Sequence, residues 1–205
     1  IATVVDNNQP GWRNIIETEP NVTLSIGTKL YLEAAAIPVP GAPFGGGFFA
    51  GVMTVDGCQY ALVVAPKAEG ENQALQFKVK DFGTADGVTS DDDGVANSNR
   101  INDADHPAAQ FCRGLSIGGF TDWYLPSRDE LMMLWRNLGP RRKNTPAAFR
   151  EDGPEVFDTE GWYWSSTENA SYSFFAWVVD FSSGTQGYFH KDNYYAVRAV
   201  RRLPI

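Results

Sequence analysis

Cysteine, histidine and long apolar runs are all scarce in this sequence of 205 residues. The two cysteines, Cys58 and Cys112, are too few for a disulfide scaffold or a cysteine zinc site, so we expect no catalytic metal and no other cofactor. Cys58 falls in a strand pattern and Cys112 in a helix pattern, which favours two separate buried thiols, although the sequence leaves a bridge open. No apolar run approaches the roughly 18 residues of a membrane-spanning helix, so we expect no membrane insertion.

Positive charge is also in short supply. The 17 lysines and arginines stand against 25 aspartates and glutamates, which gives a net charge of −8. Because phosphate groups are bound by clustered lysine and arginine, this balance argues against a nucleic-acid partner and against attraction to anionic membranes. Arg141-Arg142-Lys143 is the one basic run, and a solvated loop accounts for it.

Motifs of common enzyme classes are missing as well. The glycines 45–47 lack the Gly-Lys-Ser/Thr ending of a phosphate loop, and no Gly-x-Ser-x-Gly elbow accompanies His106. His106 instead precedes a proline, which is typical of the residue just before a helix. The acidic loop Ser90–Gly94 has Val95 where a calcium loop of the hand type needs an oxygen ligand. We therefore expect that the protein is not an enzyme.

The remaining composition is that of a folded domain. Hydrophobic residues make up 43% of the chain and aromatic residues 13%, enough for a substantial core. The alternating runs Val22–Ile26 and Lys29–Glu33 predict two short strands ahead of a Pro/Gly-rich linker that ends at Gly47. We therefore predict an N-terminal β segment with a linker at residues 1–47 and one domain at residues 48–205. Because the chain begins at Ile1 and not at Met, we expect it to be a fragment or a processed product.

Hairpin and helix signals fill the first half of that domain. Asp56-Gly57 lies between two apolar runs and predicts a hairpin of Phe48–Val55 with Cys58–Ala65. Ser127 and Glu130 form the capping-box pattern of an amphipathic helix that ends before Gly139. Three further elements are predicted: a strand at Ala74–Val79, a helix at about Val95–Asp103, and a helix that starts near His106-Pro107.

The stretch Trp162–Arg201 has the strongest strand signal. Aromatic and β-branched runs alternate with small polar breaks, which predicts a meander of antiparallel strands. Side chains two apart share one face of a strand. We expect the packed face of Phe174–Phe181 to consist of Phe175, Trp177, Val179 and Phe181. The opposite face, which we expect to be exposed, then consists of Phe174, Ala176, Val178 and Asp180, continued on the next strand by Gln186, Tyr188 and His190.

A set of separated motifs runs through the domain. They are Gly-Gly-Phe-Thr-Asp-Trp-Tyr-Leu-Pro-Ser-Arg-Asp-Glu-Leu (118–131), Tyr-Trp-Ser-Ser-Thr-Glu (163–168), Ala-Trp (176–177) and Val-Arg-Ala-Val-Arg (197–201). Their order and spacing resemble the DUF1566 family, which is also named for the C-terminal domain of a Legionella collagen-like adhesin. Pro-Phe-Gly-Gly-Gly-Phe (43–48) and Ala-Leu-Val-Val-Ala-Pro-Lys (61–67) resemble phage and prophage tail-fibre members in particular. The resemblance covers about residues 43–203.

The resemblance implies an α+β, C-type-lectin-like fold. In this fold two main helices accompany a curled antiparallel sheet, here preceded by the short β-rich N-terminal segment. Related domains of phage tropism proteins present a variable ligand face on their last strands, often as homotrimers. The resemblance therefore implies ligand contacts at Asn169, Tyr172, Phe174, Val178, Asp180, Gln186, Tyr188, His190 and Asn193.

Other residues of the motifs are expected to have structural roles. We expect Trp123, Trp164 and Trp177 to lie in the core. We expect a buried ion pair that fixes the loop under the exposed face, formed among Glu168, Asp122, Arg198 and Arg201. The formylglycine-generating enzymes share the broad fold but depend on a cysteine pair, and the two cysteines here fall in elements that give them no reason to meet.

The leading hypothesis is therefore a receptor-binding domain of a phage or prophage tail fibre. Its partners would be a bacterial cell-surface glycan or protein, two further copies of itself in a homotrimer, and an upstream fibre or stalk segment joined through residues 1–47. Such a protein would be located in the virion tail. The alternatives are an adhesin of the bacterial cell surface that binds host glycosaminoglycans, and an oxidase related to the formylglycine-generating enzymes.

Overall fold

The computed structural model describes Ala2–Thr3, Ile15–Ile16 and residues 37–205. Near the N-terminus, β1 (Ala2–Thr3) pairs antiparallel with β2 (Ile15–Ile16). The strands predicted at Val22–Ile26 and Lys29–Glu33 lie outside the described residues.

The chain divides into two compact units, Ile1–Ile37 and Pro38–Ile205. In the second unit, β3 (Pro43–Phe44) folds back on β4 (Gly47–Val55) and pairs with it antiparallel. The Pro/Gly-rich segment that we interpreted as a linker therefore contains paired structure at its C-terminal end.

The predicted hairpin is confirmed. β4 pairs with β5 (Cys58–Val64) across Asp56-Gly57, whose φ values of 49° and 78° are those of a type I′ turn. β11 (Val200–Pro204) pairs with the other side of β5, so that the sheet has the order β11-β5-β4-β3. The last strand of the chain thus closes onto the first hairpin of the domain.

The second sheet consists of β6 (Glu71–Gln76), β7 (Trp162–Glu168), β8 (Phe175–Asp180), β9 (Gln186–His190) and β10 (Tyr194–Arg198). Its five strands have the order β6-β10-β7-β8-β9. A simple meander is a wrong prediction for this region, because the chain leaves β9 and crosses to the far side of β7. There β10 pairs antiparallel with β6 and makes one parallel pair with β7. β7, β8 and β9 do form a meander.

Three of the four helices described begin at the predicted signals, and the short helix at Lys67–Gly70 was not predicted. Asp93 caps one helix by accepting a hydrogen bond from the Ala96 amide, and Pro107 occupies the first turn of another. The capping box of Ser127 and Glu130 is confirmed, because each side chain accepts the backbone amide of the other. The helices are α1 (Lys67–Gly70), α2 (Gly94–Arg100), α3 (Pro107–Arg113) and α4 (Arg128–Leu138), followed by a 3-10 turn at Ala147–Phe149.

The predicted α+β class is confirmed, with a strongly curled antiparallel sheet. Within residues 37–205, three helices have seven or more residues, against the two main helices that the family resemblance implies. Two apolar cores hold the layers together. One lies between α4 and the strands β4, β5 and β8, and the other lies against α3 and contains Trp123 and Trp164, both fully buried as predicted.

The two cysteines are free, as the sequence favoured. Cys112 is buried in α3, and burial raises the pKa of its thiol far above the ordinary value. The expectation that both thiols are buried is wrong for Cys58, because it follows the hairpin turn and is exposed to solvent.

Candidate functional site

Strands β8 and β9 carry a cluster of aromatic side chains at the edge of the five-stranded sheet. Their register places Phe175 opposite His190 and Trp177 opposite Tyr188. Residues directly opposite each other in an antiparallel pair lie on the same face of the sheet. Tyr172 and Phe174, from the β7–β8 connection, contact the same rings. We call six residues the aromatic face: Tyr172, Phe174, Phe175, Trp177, Tyr188 and His190.

The rings of the aromatic face contact one another and remain open to solvent. Tyr172, Phe174 and Tyr188 are 57%, 50% and 45% exposed. The ring centroids of Tyr172 and Tyr188 lie 6.4 Å apart with 22° between the planes, and Trp177 meets Tyr188 edge-on at 5.4 Å. Phe174 stacks on His190 at 5.8 Å. Contiguous exposed aromatic surface of this kind is typical of interaction sites.

The face that we predicted for β8 is partly wrong. Val178 and Ala176 are fully buried, so Val178 is not available as a ligand contact. Phe175 and Trp177, which we expected in the core, are only partly buried and belong to the aromatic face.

The reason is that α4 covers one half of β8 and leaves the other half open. Val179 and Phe181 pack into the core with the helix residues Leu131 and Leu134, as predicted. The helix begins at Arg128, whose guanidinium carbon lies 4.7 Å from the centroid of the Trp177 ring. One side of the same strand is therefore core at one end and surface at the other.

Besides Val178, four predicted contacts lie outside the aromatic face, and two of them are already hydrogen-bonded within the fold. Asn169 is buried, and its Oδ1 accepts the backbone amides of Ser171 and Tyr172 at 3.0 and 3.1 Å. Burial raises the pKa of Asp180, but hydrogen bonds from Ser182 and its neighbour Ser183 outweigh burial and lower it. Both side chains hold turns. Of the two other predicted contacts, Gln186 is exposed and Asn193 is half-buried in the β9–β10 turn.

One contributor to this region was missed from the sequence. Phe82 lies in an irregular loop, yet its ring centroid is 5.3 Å from that of His190. A lone aromatic residue in the loop sequence Asp81-Phe82-Gly83 was the available signal. Periodicity does not detect such a residue, because the loop has no repeat from which a face can be assigned.

The ion pair predicted under this face is in fact three separate groups. Arg201 binds Asp122 with two contacts, of 2.7 and 2.9 Å. Arg198 is fully buried and pairs with Glu71 at 2.9 Å and Glu155 at 2.6 Å. None of the partners of these two arginines belongs to the aromatic face.

Glu168 belongs to the third group, which lies beneath the aromatic face. Its Oε1 is 3.1 Å from Nζ of Lys191, and the Lys191 Nζ is 2.7 Å from Oδ2 of Asp86. Lys78 reaches the other oxygen of Asp86 at 2.6 Å, and His106 lies 3.3 Å from it. We call these five residues the buried charge cluster.

Two pKa values in the buried charge cluster reflect its pairing. Burial raises the pKa of Asp86, but His106, Lys191 and Lys78 outweigh burial and hold that pKa well below the ordinary range. Burial lowers the pKa of His106, but the carboxylates of Asp86 and Asp103 outweigh burial and raise it. The cluster is therefore most stable as a set of opposite charges.

A concave surface lies at the C-terminal end of α4, apart from the aromatic face. This basic groove encloses about 660 Å³. Arg142 stacks over the Trp135 ring at 4.5 Å, and Arg141 pairs with Glu151 at 2.6 Å. The residues that line the groove are Val39, Pro40, Arg136, Asn137, Arg141, Arg142, Lys143, Asn144 and Pro146.

Neither surface has the ligand set of a metal centre. Among the residues described, no group of three or more histidine, cysteine or acidic side chains has the geometry to hold a metal ion. The helices of the same described portion are too short or too polar to cross a membrane.

The family of the chain suggests a surface or adhesin-like domain. The chain belongs to the Lcl C-terminal domain family, whose model matches residues 71–201. No curated protein matches the chain. Among solved structures, the chain is similar to a fimbrial protein from Bacteroides ovatus, with 19% identity and a TM-score of 0.47. That similarity covers 70% of this chain and 36% of the fimbrial protein, so the chain matches about a third of its length.

Proposed function

We propose that this domain is the receptor-recognising tip of a phage or prophage tail fibre, and that it binds a bacterial cell-surface receptor through the aromatic face without chemical turnover. The observation that carries the proposal is the group of exposed, mutually contacting rings on β8 and β9. Tyrosine and tryptophan supply a large rigid contact area at low entropic cost, and their polar atoms add hydrogen bonds.

The position of the aromatic face supports recognition of a large ligand. Its rings lie at the sheet edge, and Tyr172 and Tyr188 project from it with about half of their surface open. Binding energy at such surfaces is concentrated in a few aromatic anchors. Tyr188 contacts Tyr172, Phe175 and Trp177, which makes it the central ring of the set.

The experiment compares Tyr188→Ala with Tyr194→Ala in binding to whole cells of a panel of bacterial strains. Tyr194 is a matched control because it is 64% exposed but lies on β10, outside the aromatic contacts of the face. We expect Tyr188→Ala to weaken attachment by about tenfold or more, and Tyr194→Ala to leave it unchanged. Equal attachment by both variants, with melting temperatures like that of the parent, would refute the proposal.

The basic groove favours a second candidate function, a bacterial surface adhesin that binds sulfated glycosaminoglycans. Arg136, Arg142 and Lys143 concentrate positive charge there although the whole chain is acidic. For this function, Arg142→Ala with Lys143→Ala would release the protein from immobilised heparin at lower salt, whereas Tyr188→Ala would not. If the double variant and Tyr188→Ala elute from heparin at the same salt concentration, the groove is excluded as the heparin site.

A further inference from the structure

The loop of residues 80–87 lies directly against the aromatic face. Phe82 contacts His190, and the ring of Phe174 packs on Gly83 so closely that a Cβ there would lie 2.7 Å from the ring. The Ser173 hydroxyl donates a hydrogen bond to the Gly83 carbonyl at 2.7 Å. Phe82, His190 and Phe174 therefore form one continuous row of rings that crosses from the strands to the loop.

The same loop contains neither helix nor strand, but buried charged side chains hold it in place. Its Asp86 carboxylate is the centre of the buried charge cluster, and the amides of Asp86 and Gly87 donate to Glu168 at 2.8 and 2.9 Å. Lys191, in the β9–β10 turn, is fully buried and binds both carboxylates. One ammonium group thus joins the loop, the end of β7 and the turn after β9.

An anchor of this kind costs desolvation energy, and other arrangements would stabilise the fold more simply. Buried ion pairs contribute little net stability, but a fully paired network defines a single geometry. Fixing a loop before its ligand arrives lowers the entropy lost on binding. Binding surfaces gain from this kind of support beneath the residues that touch the ligand.

The charges directly beside the row of rings are mainly carboxylates, whereas two arginines lie further along the surface: Arg128, paired with Asp91 at 2.8 Å, and Arg100, which donates a hydrogen bond to the Asp86 carbonyl. Asp81 is exposed next to Phe82, and the Asp192 carboxylate lies 2.5 Å from Nδ1 of His190. Lys80, at the start of the loop, is paired with Asp105 at 3.1 Å. Such surroundings repel an anionic ligand and suit a neutral sugar or one with an ammonium group, which also binds favourably over an aromatic ring.

We infer that the loop of residues 80–87 is the second half of the receptor-binding surface, with Phe82 as its contact residue and Lys191 as the positioning residue. The ligand of this surface is a glycan that carries no negative charge. The inference deepens the proposed function and rests on it.

The first experiment uses an array of neutral, amine-bearing and sulfated oligosaccharides with the whole 205-residue chain. Phe82→Ala is compared with Thr84→Ala, an exposed position in the same loop. We expect binding to neutral or amine-bearing glycans, about tenfold weaker for Phe82→Ala and unchanged for Thr84→Ala. Binding to sulfated glycans alone, or to no glycan with retained attachment to cells, overturns the assigned ligand class, and the latter result indicates a protein receptor.

The second experiment measures the positioning role without any ligand. Hydrogen exchange is followed in Lys191→Met and in Lys80→Met, which removes a charge of the same sign from an exposed site on the loop. We expect about tenfold faster exchange of the Asp86 and Gly87 amides in Lys191→Met, no change in α4, and parental exchange in Lys80→Met. Parental exchange of the loop in a folded Lys191→Met variant overturns the positioning role.

Phe82→Ala keeps the inference testable if Lys191→Met does not fold, because Phe82 is a partly exposed ring outside the buried charge cluster. Normal binding by Phe82→Ala with weakened binding by Tyr188→Ala removes the loop from the site and leaves the proposed function intact. Normal binding by both variants removes the proposed function itself.

Discussion

Glu130 makes the stability of this domain depend on pH in a range where most carboxylates no longer titrate. The side chain is fully buried under the start of α4 and is hydrogen-bonded by the Tyr124 hydroxyl at 2.6 Å and the Ser127 amide at 2.7 Å. Burial is the largest influence and raises the pKa of Glu130 from 4.5 to about 7, although these hydrogen bonds oppose the rise. A raised pKa means that the folded state favours the protonated form. The resulting stabilisation is complete below about pH 4.5 and is lost as the pH rises through 7.

The size of this effect follows from the shift. A difference of roughly two to three pKa units corresponds to about 3 kcal/mol of unfolding free energy between pH 4.5 and pH 8. For a protein of this size that is roughly 6–12 °C in melting temperature. Glu130→Gln should remove this dependence, because the amide keeps an acceptor for Ser127 and offers a donor to the Tyr124 oxygen.

The assay is a series of thermal melts from pH 4.5 to 8 for the parent, Glu130→Gln and Asp129→Asn. Asp129 is the matched control, since it lies in the same first turn of α4 but is exposed. His106 adds to the slope in the same direction, because its raised pKa also stabilises the fold below neutral pH, so some slope should remain in every variant. A slope in Glu130→Gln as steep as that of the parent would refute the reasoning.

Three further predictions concern the cap, the thiols and the assembly. Ser127→Ala should lower the unfolding free energy by about 1 kcal/mol through loss of the cap while cell attachment survives, and an unchanged urea midpoint would contradict this. Cys58 should react with a thiol reagent in the native protein and Cys112 only after unfolding, so modification of two thiols before unfolding would show that α3 opens. Residues 1–47 are expected to hold a homotrimer that multiplies weak single-site attachment, so light scattering should give three times the 22.6 kDa of one chain, and a monomer at all concentrations would reject it.

The local elements could be predicted because each has a chemical signal within a few residues. Asp56-Gly57 supplies the positive φ values of its turn, and Ser127 with Glu130 satisfies the first amides of α4. The order of β10 in the sheet could not be predicted in this way. Its partners β6 and β7 lie far away in sequence, and the residues of β10 carry no signal that shows which strands they pair with.

The candidate site was predicted as a region and only partly as residues. Tyr172, Phe174, Tyr188 and His190 do come together. The prediction for Val178 was wrong because both sides of β8 are apolar, and alternation by itself does not show which side is covered. The structure buries the smaller Ala176 and Val178 against the second core, where Val178 faces Gly187 across the strand pair. Side-chain size was therefore a poor guide to burial.

The N-terminal end of α4 marks where the aromatic face begins on β8. The helix has 11 residues and is about 16 Å long. It begins directly after its cap residue, Ser127. In β8, Val179 packs in the core with the helix, whereas Phe175 and Trp177 are only partly buried, and the guanidinium of Arg128 lies over the Trp177 ring. The start of α4 at its cap therefore coincides with the change along β8 from core residues to partly exposed aromatic residues. The capping box was readable from the sequence, so this boundary between core and exposed aromatic residues was in principle readable too, once α4 was known to pack on β8.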